Sequence, residues 1–106
     1  MQNLAARIDA RNATASTIHS LPTRVRAVVI EEAALAMVTP ERLLSAHADR
    51  RTAHARFMAW YRIRQMIAAD GNPFSLPRIG AWFGKDHTSV RHGIIRAEQI
   101  IAERAA

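Results

Sequence analysis

Apolar and polar residues along this chain fall into five stretches of helical period, separated by short polar, glycine-bearing or proline-bearing punctuation. From Thr23 onward, Val25, Val28, Val29, Ala33 and Ala36 recur at helical spacing beside Arg24, Arg26, Glu31 and Glu32, which predicts a first amphipathic helix ending near Met37. Thr39-Pro40-Glu41 is a start signal: a hydroxyl that caps orphan amides, a proline tolerated at the first helical position, and an acid at the positive helix end. It opens a short second helix carrying Leu43 and Leu44. Asp49 caps a longer third helix that the pattern extends to about Ala69, with Phe57, Trp60, Tyr61, Ile63, Met66 and Ile67 as its apolar contacts. Asp70-Gly71-Asn72-Pro73 stops it.

Ser75-Leu76-Pro77 restarts helix as Thr39-Pro40 does, and Leu76, Ile79 and Phe83 share the buried side of a short fourth helix. Gly84-Lys85 makes a turn, Asp86 caps the fifth helix, and Val90, Ile94, Ala97, Ile100 and Ile101 point inward along it. Ahead of all this, residues 1–22 offer only Leu4 and Ile8 as helical-spaced anchors and run through the small, polar Asn12 to Thr17, so they read as a loose arm or a short helix. The expectation is an all-α chain: one small helical bundle over residues 23–104, ending in a helix-turn-helix.

Composition narrows the class. At 106 residues there is room for one modest core, and an apolar share of 49% argues against wholesale disorder. The net charge is +6, with ten basic residues against five acids after position 44. All but one of the basic residues are arginine, which suits phosphate or carboxylate recognition and favours a polyanionic partner. No cysteine is present, which removes disulfides and thiolate metal sites. No apolar run approaches a membrane span and the N-terminus lacks a secretion signal, so a cytoplasmic, nucleoid-associated protein with no membrane partner is expected.

The exposed start of the fifth helix carries the chemistry. Asp86, His87, Thr88, Ser89 and His92 gather carboxylate, imidazole, hydroxyl and methyl groups at the helix end that recognition helices present to base edges. A carboxylate accepts from cytosine N4, and a threonine methyl packs on the thymine methyl. Lys85, Arg91 and Arg96, with Arg50, Arg51, Arg56 and Arg64 from the third helix, are candidates for phosphate contacts. Histidine offers no metal site: His87 and His92 face different sides of one helix, and His47 and His54 stand seven apart. Asp86-His87 has no nucleophile or glycine cradle beside it, so no enzyme and no cofactor is expected. Phe57, Trp60, Trp82 and Phe83 read as core rather than as base-stacking platforms, which disfavours single-strand RNA binding. An exposed Trp82 would instead mark a partner surface.

The eighteen residues from Ser75 to His92, SLPRIGAWFGKDHTSVRH, resemble the C-terminal DNA-binding domain (domain IV) of the bacterial replication initiator DnaA. That family shows S-L-P-x-I-G followed by F-G-x-(R/K)-D-H-T-(T/S)-V-x-H, and this chain has one residue fewer in the glycine turn. Val38 to Ser45 and Arg56 to Met66 extend the resemblance over roughly residues 24–104. It implies a Trp-repressor-like bundle that binds duplex DNA at the nine-base DnaA box, with Asp86, His87, Thr88 and Ser89 in the major groove. It also implies Arg56, Arg64, Lys85 and His92 at or near DNA contacts, and the helix start at Leu76 and Pro77 facing the sugar-phosphate backbone. Where the family sends an arginine from a basic loop into the minor groove, this chain has Ala48, with Arg50 and Arg51 following. Ala55 and Phe57 replace a typical Pro and Gln, and Ala68 to Phe74 is longer than the family's link. There is no Gly-x-x-x-x-Gly-Lys-Ser/Thr phosphate loop, so a stand-alone or excised domain is expected. Regulation of replication initiation or of transcription follows as the expected role. The alternative, suggested by Ala48, Trp82 and Glu31-Glu32, is an interaction module acting on the replication initiator or its regulators.

Overall fold

The computed structural model describes residues 16–106, so the arm expected over residues 1–22 lies largely outside the described part. Among the described residues, five α-helices follow a 3-10 turn: α1 Thr23–Ala36, α2 Pro40–Leu43, α3 Arg50–Arg64, α4 Leu76–Phe83 and α5 His87–Ala105. The fold is all-α. The caps read from the sequence are in place. Thr39, Asp49, Ser75 and Asp86 each accept the backbone N–H three residues on, satisfying one amide that the helix leaves orphaned.

α3 is the centre of the bundle, with α1 on one side and α5 on the other. Its Ala55, Ala59, Trp60 and Ile63 are buried between Val25, Val28, Val29 and Ala33 of α1 and Val90, Ala97 and Ile100 of α5. Ile79 and Phe83 of α4 complete the core, Phe83 meeting the Trp60 ring edge-on at 5.7 Å. Gly93 is what lets α5 come so close to α3. A Cβ there would sit inside van der Waals contact of the Trp60 ring.

Two boundaries differ from the sequence expectation. The third helix ends at Arg64 rather than about Ala69, because the chain folds back on itself there. The Arg64 guanidinium donates to the Phe74 carbonyl, Ala68 N–H donates to the Asn72 carbonyl at 2.8 Å, and Ile67 bridges Pro73. The apolar Met66 and Ile67 that prolonged the helical pattern belong to this loop. The second difference concerns residues 16–22, read as the end of an arm. Ile18 and Leu21 are buried in the core through the 3-10 turn Ile18–Ser20, and Ser16 N–H donates to the Trp82 carbonyl at 2.9 Å.

Candidate nucleic-acid interface

The last two helices meet through a turn that glycine makes possible twice. Gly84 ends α4 in the left-handed region at φ 66°, where other residues carry a steric cost. Lys85 N–H then donates to the Gly80 carbonyl at 2.9 Å, and a Cβ on Gly80 would collide with the Lys85 carbonyl oxygen. The turn therefore lies tightly on α4 and fixes the direction in which α5 sets out. Asp86 opens that helix, its Oδ1 accepting Ser89 N–H at 2.7 Å. This backbone hydrogen bond holds the Asp86 carboxyl below its usual pKa, so the cap is ionised at neutral pH. The carboxylate is solvent-exposed at the head of the helix.

Asp86, His87, Thr88 and Ser89 are all exposed, and the helix becomes part of the core only at Val90. Arg91 and His92 are exposed on the next turn. Alongside runs a cleft of about 530 Å³ lined by the apolar Phe57, Trp60 and Gly93 and by the basic Lys85, His92 and Arg96, with the buried Arg56 contributing to its wall. Ala48 also lines it, and no acid does. Burial, and secondarily the charge of the nearby Arg56, lower the Lys85 pKa.

The expected phosphate-contacting residues separate into distinct groups. Arg50 stands exposed at the first turn of α3, and Pro77 is exposed at the start of α4, whereas the Leu76 side chain packs partly on the core. Arg64 spends one nitrogen on the Phe74 carbonyl and is otherwise exposed. Arg96 reaches Glu103 at 3.7 Å and Gln99 at 3.4 Å on its own helix. Arg51 points elsewhere: it lines a separate hollow with Glu32, Leu35 and Arg104, and it is not among the residues of the cleft.

Arg56 is a correction. Read from the sequence as a phosphate contact, it is 4% exposed, and its guanidinium serves the fold. Nε donates to the Leu43 carbonyl at 2.9 Å, and one terminal nitrogen reaches the carbonyls of Ser45 at 3.0 Å and His47 at 2.8 Å. It thus caps the carboxyl end of α2 from the side and holds the loop that carries Ala48. The same junction is tied by Arg42, which donates to Thr52 Oγ1 at 3.1 Å and pairs with Asp49 at 3.1 Å.

The features that suggested a protein partner are also used internally. Trp82 is half-buried, edge-on to Phe74 at 5.4 Å, with the Arg78 guanidinium over both rings. Glu31 and Glu32 are both bound by Arg62, at 2.7 and 3.0 Å. Gly80 and Gly93 position the interface and were not singled out by periodicity; a glycine inside a helical pattern was the available signal.

Among the described residues no group of three or more His, Asp or Glu could hold a metal ion, and no helix is long and apolar enough to cross a membrane. No solved structure matches the chain. Residues 23–96 match the model of the bacterial dnaA protein helix-turn-helix family, a span that runs from the first residue of α1 into the middle of α5. Capped α4, glycine turn and exposed start of α5 are thus the helix-turn-helix of a chain that belongs to the bacterial DnaA helix-turn-helix family.

Proposed function

We propose that this protein binds duplex DNA sequence-specifically at sites resembling the DnaA box, and that by occupying them it regulates replication initiation or transcription in the bacterial nucleoid. The observation that carries the reading is the uninterrupted exposure of Asp86, His87, Thr88 and Ser89 on a helix whose next residue is already core. A helix start so placed enters a major groove without moving the bundle. Thr88 then offers a methyl and a hydroxyl to base edges, His87 a ring nitrogen, and the exposed Asp86 carboxylate an acceptor for cytosine N4. Lys85, Arg91 and His92 flank this start and take the phosphates of the same groove, with Arg50, Arg64 and the α4 start at Leu76 and Pro77 reaching the neighbouring backbone.

Ala48 removes one minor-groove reader, so base selection rests more heavily on α5. The loop that carries Ala48 is nevertheless held against the cleft by Arg56, which keeps that wall open to a sugar-phosphate strand. Binding to the replication initiator or its regulators is the second reading: Ala48 still motivates it, while Trp82, Glu31 and Glu32 each have a partner within the bundle.

Titrating labelled duplexes with and without a DnaA box, at fixed salt, tests the proposal. The expected result is binding to the box at least about a thousandfold tighter than to the scrambled duplex. Equal, weak affinity for both would leave only a nonspecific cationic surface.

A further inference from the structure

Arg78 and Trp82 stand one helical turn apart on α4, turned away from the side that Leu76, Ile79 and Phe83 give to the core. The Arg78 guanidinium lies 5.0 Å from the centre of the Phe74 ring and 5.5 Å from that of Trp82, and the two rings meet edge-on at 5.4 Å. Phe74 precedes the Ser75 cap. A guanidinium over its ring has therefore leaned back past the first turn, toward the amino-terminal end of the helix. Helix electrostatics do not favour an arginine there. The first turn of a helix suits acids and disfavours cations, and that of α4 holds no acid.

Phe74 also gathers a second arginine, since its carbonyl accepts from the Arg64 guanidinium. Two like charges are thus drawn to one residue close to the exposed Pro77, and among the described residues neither arginine is in an ion pair.

Building on the duplex-DNA binding proposed above, on which this step rests, we infer that Arg78 is a further phosphate contact, held at the start of α4 by a shelf made of Phe74 and Trp82. An arginine spread over ring faces keeps the N–H edge of its plane free, and that edge takes a phosphate through two parallel hydrogen bonds. The rings also reduce the freedom the side chain loses when it binds. Pro77, exposed beside it, has no amide to donate, so the side chain supplies what the backbone lacks at that point. Trp82 is half-buried a turn further along α4 and is a positioning residue that acts through Arg78. Arg78 fills the open position of S-L-P-x-I-G and Trp82 falls in the unspecified stretch after it, so the pair belongs to this chain rather than to the pattern.

The test is titration of box and scrambled duplexes over a range of salt, on the full chain and on Arg78→Gln, Trp82→Leu and the double variant. Arg78→Gln is expected to weaken both duplexes by the same factor, about fivefold to tenfold near 0.1 M salt, and to reduce the salt slope by about 1. Trp82→Leu is expected to weaken both by about twofold to threefold through lost preorganisation, and to add nothing once Arg78 is Gln. Arg104→Gln, which removes the same charge from the separate hollow, is expected to leave the slope unchanged. Far-UV circular dichroism separates lost binding from lost folding. Box-selective binding by the wild type with affinity and slope unchanged in Arg78→Gln would overturn this inference and leave the reading by α5 standing. Equal wild-type affinity for both duplexes would sink that reading instead, while the slope of Arg78→Gln would still decide the phosphate contact. A loss confined to the box would overturn the phosphate assignment, and a Trp82→Leu loss of equal size with and without Arg78 would overturn the shelf.

Discussion

Arg56 and Arg91 bring the same guanidinium to different tasks, and their neighbours decide which. Arg56 is enclosed by the carbonyls of Arg42, Leu43, Ser45 and His47, whereas Arg91 projects from α5 into solvent beside the capped start. Arg56→Ala leaves buried carbonyls unpaired and should cost at least about 2 kcal/mol in urea unfolding, whereas Arg91→Ala should stay within about 0.5 kcal/mol. On DNA the order reverses. His87→Ala or Thr88→Ala should lose roughly 1–3 kcal/mol on a box duplex and little on a scrambled one, read by competition titration. Residue chemistry at the start of α5 was legible in the sequence because polar side chains at a capped helix start have few places to go but solvent. The role of Arg56 was not, since its partners are backbone carbonyls of another helix, and carbonyls are the same at every residue.

At the scale of elements, the caps were readable because capping is local. Thr39, Asp49, Ser75 and Asp86 each act on an amide three residues away. The end of α3 was misread because Met66 and Ile67 keep a helical pattern while the chain turns back to meet Pro73. Glycine packing was hidden for a related reason: that Gly93 touches Trp60 depends on how two distant helices cross. Gly93→Ala is expected to destabilise by about 1–3 kcal/mol through overpacking against that ring, measured by thermal unfolding.

The caps also set a pH dependence. The hydrogen bonds from Thr52, its backbone N–H first, hold Asp49 down to about 2 from an ordinary 3.8, and the Ser89 amide lowers Asp86. Carboxylates lowered by folding stabilise above their unfolded pKa and lose that contribution as pH falls toward 2. Burial lowers His54 from 6.5, with the charges of Arg50, Arg96 and Arg104 adding to it. A histidine kept neutral by folding costs stability once pH drops below 6.5, because the unfolded chain then takes the proton first. The melting temperature should therefore be highest above about pH 7, fall as pH passes below 6.5, and fall again from about pH 4 toward 2. A melting temperature that rises on acidification would contradict these environments.

The whole molecule sorts its charge in a way composition only hinted at. The cleft beside α5 is lined by Lys85, His92 and Arg96 without an acid, while Glu31 and Glu32 sit on the far side of α3, held by Arg62. Such a surface predicts strongly salt-dependent binding, and Arg91→Ala should weaken all duplexes alike and reduce the salt slope by about 1. The exposure of Ile30, Leu35 and Met37 on α1 and its cap was not legible in the sequence. A helical period identifies the buried stripe and says nothing about what the opposite stripe meets.

The central claim is that the exposed start of α5 selects bases. Selection of binding sites from random duplexes, run in parallel on the wild-type chain and on Thr88→Ala, tests it most directly. The account predicts one enriched duplex motif for the wild type, with preference lost at a base position when Thr88 is truncated. Retrieval of duplexes without a common motif, or an identical motif from both chains, would contradict it.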